Sequence, residues 1–222
     1  MKKKPSAQLC LLDSDPWSDR GAVISLDQKY RYHLWRRAPD ARNRCLFVML
    51  NPSVADAHQD DPTIGRCVDY ARRWGHDGLD VVNLFAWRAT DPAELPKVDD
   101  PIGERNQDYL LRLARECMLV VCAWGDGPSV PMRSQVGQRW VARFHDASDA
   151  ALKTFEKAMC FGTTKSGNPK HPLYLKKDLV LAPAPRPVIE QVPKAIREGL
   201  REGIYETVLT ELGGELYPKG KP

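Results

Sequence analysis

No apolar run in the 222-residue chain approaches the roughly 20 residues needed to span a bilayer, and Met1-Lys2-Lys3-Lys4 leads into no long apolar stretch. A membrane span or secretory leader is therefore not expected, and a cytoplasmic location is. The six cysteines, Cys10, Cys45, Cys67, Cys117, Cys122 and Cys160, form no C-x-x-C and no paired Cys/His spacing. That argues against a zinc or cluster site, and the three within apolar runs read as buried, reduced thiols. Neither a metal nor a cofactor is implied. Internal repeats are absent, which excludes a solenoid, and the low-complexity content is limited to one proline-rich stretch.

What is present describes an ordinary globular chain, with 42% hydrophobic and 28% charged residues. This length suits one domain with appendages. The net charge of +4 conceals a segmental pattern: residues 1–44 carry ten Lys and Arg against five acids, and residues 133–177 carry nine against three. Between them, residues 45–132 are acidic, eight against fourteen. Two basic segments can meet in space as a phosphate-facing surface, or they can be separate solvated faces.

Residues 1–20 read as irregular. Val23-Ile24-Ser25-Leu26 and Tyr30–Trp35 flank Asp27-Gln28-Lys29 and predict a β-hairpin, with Tyr30, Tyr32 and Leu34 alternating against Arg31, His33 and Trp35. A strand is expected over 45–50, then a polar loop, then a helix that Asp61 caps and Pro62 starts. Its apolar residues Ile64, Cys67, Val68, Ala71 and Trp74 keep helical spacing up to Gly75. A second strand follows over 79–85, a helix near 104–116, a third strand over 118–124, helical segments between 134 and 157, and a short strand over 158–161. Strands that alternate with helices and read as continuous apolar runs predict an α/β fold. The expected centre is a mainly parallel four-stranded sheet with helices on both faces, preceded by the hairpin. Residues 21–177 would form this domain, and residues 178–222 a proline-rich arm over 181–188 and a helix over 194–212.

The unusual polar residues fall at strand ends, where parallel sheets bind ligands. Asn51 and Ser53 follow the first strand, Asn83 sits near the end of the second, Trp124-Gly125 closes the third, and His171 lies in the loop after the fourth. Asn51 can orient a water or a ligand carbonyl. Asn83 can read the edge of a base or tie down a neighbouring loop. Asp56, Asp60 and Asp61 can act as bases or metal ligands, or serve only as a cap and solvated loop charges. The imidazole of His171 can donate to an oxygen gaining negative charge, and Lys165, Lys170, Lys176 and Lys177 surround it.

The combined segments "VMLNPSVADAHQDDPTIGRC", "VVNLFAWRATDP" and "GNPKHPLYL" resemble the bacterial and phage family known as domain of unknown function 1643, over roughly residues 21–177. More distantly, four short motifs in order resemble the uracil-DNA glycosylase superfamily. "MLNPS" is similar to its water-positioning Gly-Ile-Asn-Pro-Gly, "VVN" to its Leu-Leu-Asn, "AWG" to its Leu-Trp-Gly, and "KHPLYL" to its His-Pro-Ser.

That resemblance implies a glycosylase-like fold and a hydrolase that cleaves the N-glycosidic bond of a flipped base in DNA. It implies Asn51 and His171 as catalytic residues, and Asp56, a candidate base in the loop after Asn51, is expected as the third. Asn83, Ser53, Trp124 and Tyr174 would contact the base, with Leu173 or Tyr174 as a wedge, and Lys165, Lys170 and Arg88 would contact phosphate. Met49, Ser53 and Leu173 depart from the superfamily's pattern, which implies a different, larger or modified base. Two other readings stay open: a nucleotide- or nucleic-acid-binding module without chemistry, and a metal-dependent phosphoesterase using Asp56, Asp60 and Asp61.

Overall fold

The computed structural model describes residues 15–131, 134–155 and 157–185. Its centre is a mixed seven-stranded sheet in the order β1-β2-β4-β3-β5-β6-β7. The strands are β1 (Asp19–Ile24), β2 (Arg31–Arg37), β3 (Arg44–Met49), β4 (Gly78–Asn83), β5 (Leu119–Cys122), β6 (Met159–Cys160) and β7 (Ala182–Pro183). The helices are α1 (Pro62–Arg73), α2 (Asn106–Glu116) and α3 (Gln135–Thr154), with a 3-10 helix over Pro92–Lys97.

The α/β class stands, but the expected four-stranded sheet is too small. Strands β4, β3, β5 and β6 do run parallel. The hairpin β1–β2 is no appendage, because β2 pairs antiparallel with β4 and extends the sheet. At the other edge β7 pairs antiparallel with β6, so the start of the proline-rich arm is a strand. The rest of that arm, the expected helix over 194–212 and most of the expected irregular segment 1–20 lie outside the described residues. Residues 19 and 20 of that segment already belong to β1.

Apolar runs form the parallel strands because both of their faces are covered. On one face α1 brings Ile64, Cys67, Tyr70 and Ala71 against Phe47, Leu79 and Val81. On the other, α2 and α3 bring Tyr109, Leu110, Leu113, Trp140 and Phe144 against Leu46, Val48 and Val82. Each large side chain so buried contributes about 1.5–3 kcal/mol. Asp61 Oδ1 accepts from Ile64 N (2.8 Å) and starts α1, as expected. Ser134 Oγ accepts from Gly137 N (3.0 Å) and starts α3. The described cysteines are free thiols, four buried and Cys117 half-buried, and burial pushes their pKa values up.

Hairpin register contains one irregularity that matters below. Val23 pairs with His33, but Ile24 pairs with Arg31, so Tyr32 is an extra residue in β2. Such a bulge reverses the alternation of side chains on its two sides. Tyr32 and His33 both turn to the α2 face, where each stacks near Tyr109. Leu34 belongs to the α1-side core, and Arg31 is thrown to that same side.

Buried charge gathers near the N-terminal ends of the parallel strands. Asp80, fully buried in β4, meets His33 Nε2 at 2.7 Å and accepts from Arg44 Nη1 at 2.6 Å. Arg44 also reaches Glu116 at 3.2 Å, and Cys117 Sγ donates to Asp80 Oδ2 at 3.5 Å. Among the described residues, no helix is long and apolar enough to cross a membrane.

Candidate functional site

In the parallel part of the sheet, β3 is followed through α1 by β4 on one side, and β4 is followed through α2 by β5 on the other. The chain direction therefore reverses between β3 and β5, and a crevice forms outside the strand ends at that point. A cleft of about 390 Å³ opens there. Its walls come from the end of β3 and the following loop (Met49, Leu50, Asn51, Ser53), from the first turn of α1 (Asp61, Thr63, Ile64), and from Ala89, Thr90 and Pro92. The loop after β5 (Trp124 to Asp126), the 162–175 loop (His171, Leu173) and Arg31 complete it.

Each polar group is held by a local device. Asn51 Nδ2 donates to the carbonyls of Pro52 (3.0 Å) and Ala89 (2.8 Å), which joins the loops after β3 and β4. That spends both N–H bonds of the amide and leaves Oδ1 as its acceptor. Asp61 caps α1 with one oxygen while lining the cleft. Trp124 is 1% exposed and its Nε1 has no partner among the described residues.

The loop carrying His171 is docked onto the end of β5. Gly125 N donates to Pro169 O (2.7 Å), and Asp126 Oδ1 accepts from Thr164 Oγ1 and Asn168 Nδ2, both at 2.8 Å. His171 Nδ1 accepts from Leu173 N at 3.4 Å. In the neutral ring the proton therefore sits on Nε2, free to donate. Burial lowers the pKa of His171 below the usual histidine value, opposed by the negative charge of Asp61.

Gly125 has φ +68°, and a Cβ built on it would lie 3.3 Å from His171 Cβ. Gly125→Ala is expected to cost about 1–2 kcal/mol for the left-handed backbone alone, and to push on the His171 loop. A lowered melting temperature together with shifted His171 ring resonances would confirm this. Unchanged ring resonances would show that the two loops move independently.

Of the residues expected from the sequence, Asn51, Ser53, Trp124 and His171 share the cleft. Asn83 does not reach its wall. It is fully buried beside Met49 in the sheet register, with both amide atoms unpartnered among the described residues. Asp56 lies outside the wall too. Its side chain accepts from the backbone N–H groups of His58 and Gln59 (2.8 and 2.9 Å), which hold its carboxyl below the usual range. Asp60 is bound by Arg20 (3.0 Å) and Arg36 (2.7 Å). The three loop carboxylates thus have separate structural partners, and no group of three or more His, Cys, Asp or Glu among the described residues is placed to hold a metal.

Tyr174 stands just beyond Leu173 at φ +67° and is 93% exposed. Lys165 is exposed and Lys170 half-buried in the same loop, whereas Arg88 is not part of the cleft wall and donates to Gln28 O (3.0 Å). Arg31, Thr63 and Thr90 are cleft residues that sequence reasoning did not find. Arg31 was hidden by the bulge, because simple alternation assigns it to the face of His33. The two threonines carry no distinguishing pattern.

No curated protein and no solved structure matches the chain. A family model does match it over residues 31–173, a span whose ends, Arg31 and Leu173, are also the first and last cleft residues in the sequence. The chain therefore belongs to that family, described as Protein of unknown function (DUF1643).

Proposed function

We propose that the cleft binds a nucleobase attached to its sugar and hydrolyses the N-glycosidic bond between them. The observation that carries this reading is the meeting of Asn51, Asp61 and His171 around one cleft at the reversal point of the sheet. A volume of about 390 Å³ falls within the range of small-ligand sites. Asn51 Oδ1 accepts a hydrogen bond from the attacking water. Asp61 takes the place first given to Asp56 and receives the water's proton. The water oxygen bonds to the anomeric carbon, the carbon–nitrogen bond breaks, and its electron pair leaves with the base. His171 Nε2–H donates to the base oxygen that gains this charge. Tyr174, exposed beside the cleft, and Lys165 and Lys170 in the same loop are suited to contact a DNA strand. The resemblance to uracil-DNA glycosylases supports the same assignment of Asn51 and His171.

Base release from uracil-containing, mismatched, damaged and hypermodified DNA tests the reading. Asn51→Ala removes one water-holding hydrogen bond and is expected to slow release on the order of tenfold. No release from any substrate by the intact protein ends the proposal. A second reading, binding without chemistry, is favoured by the commitment of both Asn51 N–H bonds to backbone carbonyls. It predicts salt-dependent DNA binding with no product under any condition.

A further inference from the structure

Arg31 is 2% exposed, yet it lines the cleft. Its Nη1 donates to Ala55 O at 2.5 Å, while its Nε is buried with no partner among the described residues. Its guanidinium forms none of the ion pairs found among the described residues. Arg36, also 2% exposed, shows how this fold satisfies a buried guanidinium when it is structural. Arg36 Nε meets Asp60 at 2.7 Å, Nη1 donates to Trp35 O at 2.7 Å, and Nη2 donates to Asp56 O at 2.6 Å. Nothing comparable surrounds Arg31. An uncompensated buried charge costs several kcal/mol, and the bulge at Tyr32 is what directs this one into the cleft.

The surroundings are rich in donors. Trp124 Nε1 is buried without a partner among the described residues, and the hydroxyl residues Ser53, Thr63 and Thr90 line the same walls. The first turn of α1, a 12-residue helix, adds its positive end. Two carboxylates also face the cleft, and neither cancels Arg31. Asp126 is exposed at the mouth, held by Thr164 and Asn168, where solvent screens it. Asp61 already has one oxygen engaged on the α1 terminus, and its field only partly offsets the burial of Arg31. Burial brings the Arg31 pKa down to about 10, so the group is cationic at neutral pH.

We infer that Arg31 is the anion-binding residue of the cleft and that the ligand carries a phosphate monoester, delivered to the buried guanidinium and the adjoining donors. This deepens the nucleotide reading and rests on it for the nature of the rest of the ligand. A phosphodiester inside a duplex is flanked by sugars on both sides and cannot descend to a 2%-exposed group. A terminal phosphate can, whether it belongs to a free nucleoside 5′-monophosphate or to the 5′ end of a strand.

The test is binding to the whole chain, read by calorimetry and by thermal shift. A nucleoside 5′-monophosphate is expected to bind about tenfold or more tightly than the same nucleoside, and inorganic phosphate to raise the melting temperature above that in chloride at equal ionic strength. Arg31→Gln keeps a donor for Ala55 O and should abolish both differences while circular dichroism stays unchanged. If that variant fails to fold, the wild-type comparison decides alone. Equal affinity for nucleoside and monophosphate, together with equal affinity for an oligonucleotide with and without its 5′ phosphate, overturns the inference, as does stabilisation by acetate equal to that by phosphate. A 5′-phosphorylated oligonucleotide beside its unphosphorylated form separates the two sources of the phosphate, and tighter binding of either phosphorylated ligand supports the inference. Phosphate preference without base release sinks the glycosidic reading alone, whereas base release without phosphate preference sinks this inference alone.

Discussion

Asp80→Ala is expected to lower folding stability by about 3–5 kcal/mol, measured as a fall in the urea midpoint. The cost arises because His33 and Arg44 are both positioned on this carboxylate, at 2.7 and 2.6 Å, in a site without solvent on the Asp80 side. Removing the acid strands a buried imidazole and leaves the 12%-exposed Arg44 guanidinium with Glu116 as its acidic partner. The same residue gives stability a pH signature. Burial pushes the Asp80 pKa up, but the hydrogen bond from His33 and the charges of His33, Arg44 and Arg37 outweigh it and hold the pKa below the ordinary value. A carboxylate depressed in the folded state binds fewer protons there than in the unfolded chain. Its contribution is therefore complete above the unfolded pKa of about 3.9, and it is lost as pH falls through the lower folded value. Wild-type protein should lose stability in that acid window, and Asp80→Asn should lose less there because the titrating group is gone. Identical acid profiles for the two would remove Asp80 from the explanation.

The second large effect is on chemistry. His171→Ala should slow base release by about 10²–10³-fold, the usual consequence of deleting a donor aimed at a developing oxyanion. The pH profile carries the more particular test. Burial holds the His171 pKa below the usual histidine value, with Asp61 pulling the other way. In the neutral ring Nδ1 accepts from Leu173 N while Nε2–H donates. Protonation puts a second proton on Nδ1 against that N–H and releases the ring from its held orientation, so the loss of rate should begin only below about pH 6.5. His171→Asn retains an N–H donor that does not titrate, and should keep part of the rate while losing that acid limb. A limb at or above pH 6.5, or one unchanged in His171→Asn, would remove His171 from this role.

The parts of the fold that could be read in the sequence are those whose cause is local. The runs ending at Leu50, Phe85, Trp124 and Phe161 are mostly apolar, Asp80 and Asn83 excepted, because both sheet faces are covered, and Asp61-Pro62 and Ser134 announce helices through their own capping bonds. The missed elements depend on partners far along the chain. Ala182–Pro183 is a strand only because β6 offers an edge, and Arg36 extends the hairpin strand because Asp60 meets its charge there.

The site divides in the same way. Asn51, Ser53, Trp124 and His171 lie beyond their strands, where chain direction alone brings them to the reversal point. Asn83 is still within the pleat, so alternation rather than direction decides its position, and it ends up beneath the wall instead of in it. The capping role of Asp61 was legible, but its second role in the cleft needed the third dimension.

The extra residue in β2 bears on how related chains should be compared. Hairpins usually tolerate gaining or losing a residue near their ends, and an alignment would place a one-residue gap at Tyr32 without penalty to the surrounding pattern. Here such a gap is a change of phase. It would exchange Arg31 for a neighbour in the cleft while leaving His33 on Asp80 and the hairpin itself intact. Two relatives differing only there would share a fold and differ in which ligands they admit.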